Sequence, residues 1–256
     1  MKVLTAIPVY NEERHVEKVL DEVRRYSPNI LVVNDGSTDR TGELLARQKG
    51  IEVVSHFRNQ GYGAALISAF EYAQAHCVDV LVTMDCDGQH EPSRIPVLLE
   101  AIDDVDIVSG SRYLRDFRQD TLAPQDRRLI NLQITSELNA QFGLNLTDAF
   151  CGFKAYRGET LSRLQVTETG WGMPLQLWVH AARLGLRIKE IAVPRVYLDP
   201  TRAFGGVLDN AEERLAYYRT IIRAAEQDDL VVPSSPLSGQ PVSCCGTSLW
   251  AKGCCR

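Results

Sequence analysis

The sequence predicts an α/β protein with a mainly parallel sheet flanked by helices. Three observations carry that prediction. From Lys2 to Arg112, short apolar runs rich in β-branched residues alternate with amphipathic segments, the signature of repeated βαβ units. Several of these runs stop abruptly at a polar or acidic residue, as strands do when they leave a core. The composition, 45% hydrophobic and 24% charged, suits a globular chain able to bury a substantial core.

The elements follow in order. "KVLTAIPVY" reads as a strand. In "EERHVEKVLDEVRRY", Val16, Val19, Leu20 and Val23 fall at helical spacing. "NILVVND" is a buried strand. "STDRTGELLARQKG" reads as a helix capped by Ser37 or Thr38 and ending at Gly50. "IEVVSH" is a third strand. "GYGAALISAFEYAQAH" is a helix with Leu66, Ala69, Phe70 and Ala73 on one face. "VDVLVTMD" is the fourth strand, "PSRIPVLLEAIDD" a helix opened by proline, and "VDIVSGSR" the fifth strand. Beyond Arg112 the rhythm loosens. The polar segment "YLRDFRQDTLAPQDRR" reads as a mobile loop and precedes a helix in "LINLQITSELNAQFG". "LTDAFCGFKAYRGETLSRL" gives a turn, a strand and a short helix. "GMPLQLWVHAARLG" is a helix, "LRIKEIAVPRVYL" a strand, and "GVLDNAEERLAYYRTIIRAAEQ" a last helix with Tyr218 and Ile222 on its apolar stripe. One domain is expected over residues 1–227, followed by an unstructured Pro-, Ser- and Cys-rich tail over 228–256.

Several function classes are disfavoured. The net charge is −5, with no block of Lys or Arg, so no nucleic-acid partner is expected. No stretch reaches the roughly 18 apolar residues of a membrane span. The N-terminus turns acidic too soon for a signal peptide, and a cytoplasmic location is expected. Seven cysteines, an odd number, argue against a closed disulfide framework. The adjacent pairs Cys244/Cys245 and Cys254/Cys255 have poor spacing for a zinc site.

In a parallel sheet, ligands bind beyond the carboxyl ends of the strands. Those ends carry Asn11 and Glu12, Asp35, Asp85 and Asp87, and Ser111 and Arg112. The pair Asp85 and Asp87 is the sharpest signal. Neighbouring carboxylates resist joint ionisation, and a divalent cation removes that cost. Mg²⁺ typically takes one or two carboxylates and completes its shell with water and phosphate oxygens. An EF-hand loop would need glycine and glutamate where His90 and Pro96 stand. A D-x-D phosphatase and a solvated Asp87-Gly88 turn are the remaining alternatives. Asp35 can accept hydrogen bonds from a base or ribose. In "NQGYGAAL" the glycines serve either phosphate approach or close backbone packing at a helix start.

Taken together, "IPVYNEE", "VVNDGSTDRT", "NQGYGAAL", "TMDCDGQHEP", "SGSRY" and "LTDAFCGFKAYR" resemble the family-2 glycosyltransferases of GT-A fold, over about residues 2 to 205. The nearest branch is that of dolichol-phosphate mannosyltransferases and polyprenyl-phosphate glycosyltransferases. The resemblance implies an inverting, metal-dependent transfer from a nucleoside-diphosphate sugar of GDP-mannose or UDP-glucose type to a polyprenyl phosphate met at the membrane surface. It implies that Pro8, Tyr10, Glu12 and Asp35 line the nucleotide pocket. Asp85, Asp87 and Gln89 would hold Mg²⁺ or Mn²⁺, and Arg112 would lie near the phosphates. Arg127 and Arg128 would lie near the acceptor phosphate, and Arg202 would close on the donor. Asp148 would lie beside the sugar. It is the candidate general base for a hydroxyl acceptor, with a capping or salt-bridging role as its alternative. Where relatives often carry an acidic residue, Pro174 and Gln176 stand here. Trp171 and Trp178 are expected to pack the second half, and Tyr217 and Tyr218 the last helix.

Overall fold

The computed structural model describes residues 1–198 and 204–230. Arg202, and the expected tail beyond Leu230 with its paired cysteines, lie outside the described residues.

Seven strands form one sheet in the order β3-β2-β1-β4-β6-β5-β7. They are β1 (Val3–Val9), β2 (Ile30–Asn34), β3 (Glu52–Ser55), β4 (Val80–Thr83), β5 (Ile107–Ser111), β6 (Lys154–Arg157) and β7 (Ile188–Ala192). β1 pairs parallel with β2 and β4, with Val9 opposite Asn34 and Ala6 opposite Thr83. The residues that follow these strands therefore emerge at one edge. β6 is antiparallel to both β4 and β5. Hence β5 runs with β4 and brings Arg112 to that edge, while β6 starts there.

Strand side chains alternate between the faces, and two apolar clusters result. One holds Leu4, Leu31, Leu81 and Phe70; the other holds Ile7, Val32, Val82 and Leu98. Helices α1 (Val16–Val23), α2 (Thr41–Ala46) and α4 (Ile95–Ala101) cover the second cluster. Helices α3 (Tyr62–Ala75), α5 (Gln125–Phe142), α6 (Gly158–Leu161), α7 (Met173–Arg183) and α8 (Ala211–Glu226) cover the first. The helical faces read from periodicity are the buried ones: Val16, Val19, Leu20 and Val23 in α1, and Leu66, Ala69, Phe70 and Ala73 in α3.

Local chemistry corrects three expectations. Ser37 and Thr38 do not cap α2. The helix starts at Thr41, where Asp39 Oδ1 accepts the Thr41 N–H at 2.9 Å, and it ends at Ala46 well before Gly50. Ser37 and Thr38 instead stitch two strand ends together. Ser37 Oγ accepts the Asn11 N–H at 3.0 Å, and Asn11 Oδ1 accepts the Thr38 N–H at 2.8 Å. Asn11 holds φ +56 to do so, a left-handed conformation that asparagine tolerates better than most residues. Asp228 does not open a free tail, since its Oδ2 accepts from Gln176 Nε2 at 2.8 Å and His180 Nε2 at 2.7 Å. That contact also explains Gln176. The side chain is buried and its Oε1 accepts the N–H groups of Thr167 and Glu168, so its work is structural. The loop before α5 is tied down: Thr121 N–H donates to Arg195 O at 2.8 Å, and Tyr197 N–H to Thr121 Oγ1 at 2.7 Å.

Candidate active site

The strand ends converge on a cleft of about 1030 Å³. Pro8, Tyr10, Glu12, Asp35, Asp85, Asp87, Gln89 and Arg112 all line it; Asp148 does not. Glu12 is buried and accepts from His15 Nδ1 at 2.9 Å, whereas Tyr10 is 43% exposed at the rim.

Asp85 and Asp87 form the floor. Asp85 Oδ1 accepts from the Tyr62 hydroxyl at 2.9 Å, and the side chain is 30% exposed. Burial and the adjacent carboxylate hold the Tyr62 phenol well above its ordinary pKa, so it remains a donor. Asp87 accepts the Gln89 N–H on Oδ1 and the Gln89 Nε2–H on Oδ2, at 3.0 and 2.7 Å. The chain turns at Gly88, φ +74. The turn reading of Asp87-Gly88 is thus realised, and the turn itself aims both carboxylates at the cleft. The donor set suits a hard divalent cation: two carboxylates and an amide oxygen on Gln89 left over from its bond to Asp87. Gly152 supplies the room. A Cβ there would lie 2.7 Å from Asp85 Oδ2 and 2.7 Å from the Tyr62 hydroxyl. Among the described residues no group of three or more His, Cys, Asp or Glu is placed to hold an ion, so a cation would complete its shell with water and substrate oxygens.

His90 is 6% exposed, and it stacks on Phe153 at 5.2 Å. Burial opposes charge on its ring, while Asp85, Cys151 and Asp87 favour it. The bonding argues otherwise. Nδ1 accepts the Asp85 N–H at 3.0 Å, which a charged ring could not do, so the bond geometry selects the neutral imidazole with its proton on Nε2.

Asp35 and Asp148 are carboxylates of a different kind. Asp35 Oδ1 accepts the Gln60 N–H at 2.9 Å and lies 2.6 Å from His56 Nδ1; its Oδ2 accepts the Gly61 N–H at 2.9 Å. The "GYG" glycines follow from this arrangement. Gly61 caps α3 at φ +108, and a Cβ on Gly63 would lie 2.2 Å from Glu168 O. Of the two readings open from sequence, close packing at a helix start is the one realised. Asp148 is fully buried and takes a fork from Arg112, Nε at 2.7 Å and Nη2 at 2.9 Å, with Asn131 Nδ2 at 2.7 Å. Burial alone would raise its pKa, but Arg112 and Asn131 hold it down at about 2. A carboxylate so bound is a weak base, and of its two sequence readings the salt-bridging one fits. Its work is to aim Arg112, whose Nη1 reaches the Tyr197 hydroxyl at 3.3 Å.

The far wall was missed from sequence. Trp171 lines the cleft instead of only packing the second half, stacking on Tyr62 with ring centroids 5.2 Å apart. The guanidiniums of Arg127 and Arg214 lie 4.8 and 4.5 Å from the centre of the Phe204 ring. Arg214 is only 2% exposed and donates to Leu208 O at 2.7 Å and to Asp126. Pro174 and Tyr218 reach the cleft too, whereas Arg128 does not line it and stacks on Tyr113 at 3.8 Å. A buried arginine on an otherwise apolar helix stripe was the available signal for Arg214. For Trp171 and Gly152 there was none: the place of Gly152 depends on β6 reversing direction, and that of Trp171 on tertiary packing against Tyr62.

Comparison with known proteins gives the family. The chain is 34% identical over 222 residues to an undecaprenyl-phosphate mannosyltransferase of Micrococcus luteus, covering 82% of this chain and 91% of that protein. It is 31% identical over 205 residues to a polyprenol monophosphomannose synthase of Mycolicibacterium smegmatis, covering 75% and 76%. Its fold superposes on glucosyl-3-phosphoglycerate synthase from Mycobacterium tuberculosis, solved with Mg²⁺ and uridine diphosphate, with a TM-score of 0.68, 21% identity and coverage of 88% and 79%. The family model described as glycosyl transferase family 2 matches residues 5–164, a span that runs from β1 past α6 and takes in the Asp85–Asp87 floor. The chain belongs to glycosyl transferase family 2 and is a glycosyltransferase.

Proposed function

We propose that the protein transfers a hexose from a nucleoside-diphosphate sugar to a polyprenyl phosphate, with inversion, using Mg²⁺ or Mn²⁺ at Asp85, Asp87 and Gln89. The observation that carries the reading is the division of one cleft. The paired carboxylates Asp85 and Asp87 line the cleft on the β4 side, and an aimed arginine lines it on the β5 side.

Pro8, Tyr10 and Asp35 bound the nucleoside end. The cation, when bound, neutralises charge on the leaving diphosphate. Tyr62 fixes the rotamer of Asp85 by its hydroxyl bond, and Gln89 does the same for Asp87, so that both carboxylates are preorganised. Arg112 adds positive charge where the phosphates of donor and acceptor meet. A phosphate acceptor is already anionic, so attack on the anomeric carbon needs no strong base, which accords with Asp148 being spent on Arg112. Arg127 extends the cationic side of the cleft toward the acceptor.

Support for a lipid acceptor comes from the surface as well as from the relatives' names. All the leucines exposed among the described residues, Leu114, Leu122, Leu129, Leu132 and Leu198, lie on the two segments framing the Arg112 side. Those segments are joined through Thr121 and Tyr197. No helix among the described residues is long and apolar enough to cross a membrane, so a lipid phosphate would be met at the bilayer surface.

The test is transfer from radiolabelled GDP-mannose and UDP-glucose to polyprenyl phosphate in detergent, with Mg²⁺, Mn²⁺ or chelator. Metal-dependent label in the lipid fraction is expected. No transfer from either donor would refute the reading.

A further inference from the structure

His56, which follows β3, joins two residues from different elements. Its Nδ1 lies 2.6 Å from Asp35 Oδ1, and its Nε2 lies 2.8 Å from Ser68 Oγ. Its own N–H donates to Asn34 O at 2.9 Å, which sets the ring beside the end of β2. The side chains of His56 and Asp35 are 9% and 4% exposed. The order Ser–His–Asp is that of a nucleophilic relay. Here, however, Ser68 sits in the middle of α3 and does not line the cleft. Backbone N–H groups in a helix interior are committed to the helix and cannot hold an oxyanion. The relay therefore acts on Asp35, not through Ser68.

Proton placement follows from the partners. Asp35 accepts, so His56 Nδ1 carries the hydrogen. Ser68 Oγ, 2.8 Å from Nε2, bonds the opposite end of the ring. Ser68 thus fixes the ring orientation that turns Nδ1 toward Asp35. A carboxylate offers about four lone-pair sites. His56 and Gln60 fill those of Oδ1, and Gly61 takes one on Oδ2. One acceptor position remains, on Oδ2, in a residue that lines the cleft. Gly36, at φ +67, packs so tightly that a Cβ would lie 2.3 Å from the carbonyl carbon of Arg58.

We propose that Ser68 and His56 form a positioning relay that presents this last Asp35 lone pair to the nucleoside, so that a single N–H donor on the base is recognised and base selectivity is set. The inference rests on the donor reading above and deepens it. His56 and Ser68 are positioning residues; neither touches the donor.

The test is calorimetric titration of UDP, GDP and pyrophosphate, each with Mn²⁺, into the wild type, His56→Phe, His56→Asn and Ser68→Ala. Circular dichroism melting confirms that each variant is folded. His56→Phe is expected to weaken the preferred nucleotide by about tenfold and narrow the UDP–GDP ratio, with pyrophosphate unchanged. His56→Asn, which keeps a donor near the Nδ1 position, recovers most of the loss, and Ser68→Ala falls between. Unchanged nucleotide affinity in His56→Phe overturns the relay, and so does an equal loss for pyrophosphate, which would mark a merely structural role. Wild type that binds the nucleotides no better than pyrophosphate overturns the relay and leaves the metal site standing. Wild type that binds none of the three overturns both readings.

Discussion

Asp85 and Asp148 stand at the same edge of one sheet, and both were candidates for chemistry from sequence. Their surroundings set them apart. Asp85 keeps 30% exposure and takes one side-chain donor, Tyr62. Asp148 is buried and takes the Arg112 fork, Asn131 and the N–H groups of Arg112 and Phe150. One carboxylate is left open for a ligand; the other is committed during folding. Residue type and strand-end position nominated both, and the count of donors separates their roles.

The sharpest way to break this comparison is to remove each carboxylate and read stability and activity together. Asp148→Ala should destabilise the fold by about 3–5 kcal/mol, because it strands a largely buried guanidinium; denaturant unfolding measures it. Asp85→Asn should leave the melting temperature near that of the wild type while lowering the transfer rate by on the order of a hundredfold or more. If Asp85→Asn unfolds the protein and Asp148→Ala does not, the two assignments are reversed.

A pH titration of stability sharpens the same point. Asp148 ionises at about 2 in the folded state against an ordinary 3.8. A group depressed in this way contributes stability that is present above pH 3.8 and is lost as pH falls toward 2. The contribution is on the order of 2 kcal/mol. Wild type should lose it across that window, and Asp148→Asn should show a flatter profile there.

Much of the β1, β2 and β4 side of the cleft was legible in the sequence, and the reason is topological. β1, β2 and β4 pair parallel in register, so strand-end residues become cleft residues without further information. Asp85, Asp87, Asp35 and Glu12 were found that way. The other half depends on β6 running antiparallel. Gly152 precedes that strand and would have pointed to the opposite edge in a parallel arrangement. Trp171 and Phe204 meet Tyr62 and Arg127 only through tertiary packing, and no local period encodes it. Ser37 and Thr38 were misread because a serine or threonine before a helix resembles a cap, whereas Asn11 claims both here.

Two smaller changes probe the support of Asp85. Gly152→Ala places a Cβ 2.7 Å from the Asp85 and Tyr62 oxygens. Overpacking of that kind costs about 1–3 kcal/mol, and the transfer rate should fall with it. Tyr62→Phe removes one hydrogen bond and should lower the rate by roughly tenfold or less, with unfolding nearly unchanged. A larger effect from Tyr62→Phe than from Asp85→Asn would mean that the phenol, and not the carboxylate, is the working group.

The most direct measurement is Mn²⁺ binding by electron paramagnetic resonance, with and without a nucleoside diphosphate, in the wild type and in Asp85→Asn and Asp87→Asn. The account predicts tight Mn²⁺ uptake in the presence of nucleotide by the wild type, lost in both variants. Undiminished uptake by the variants would contradict it.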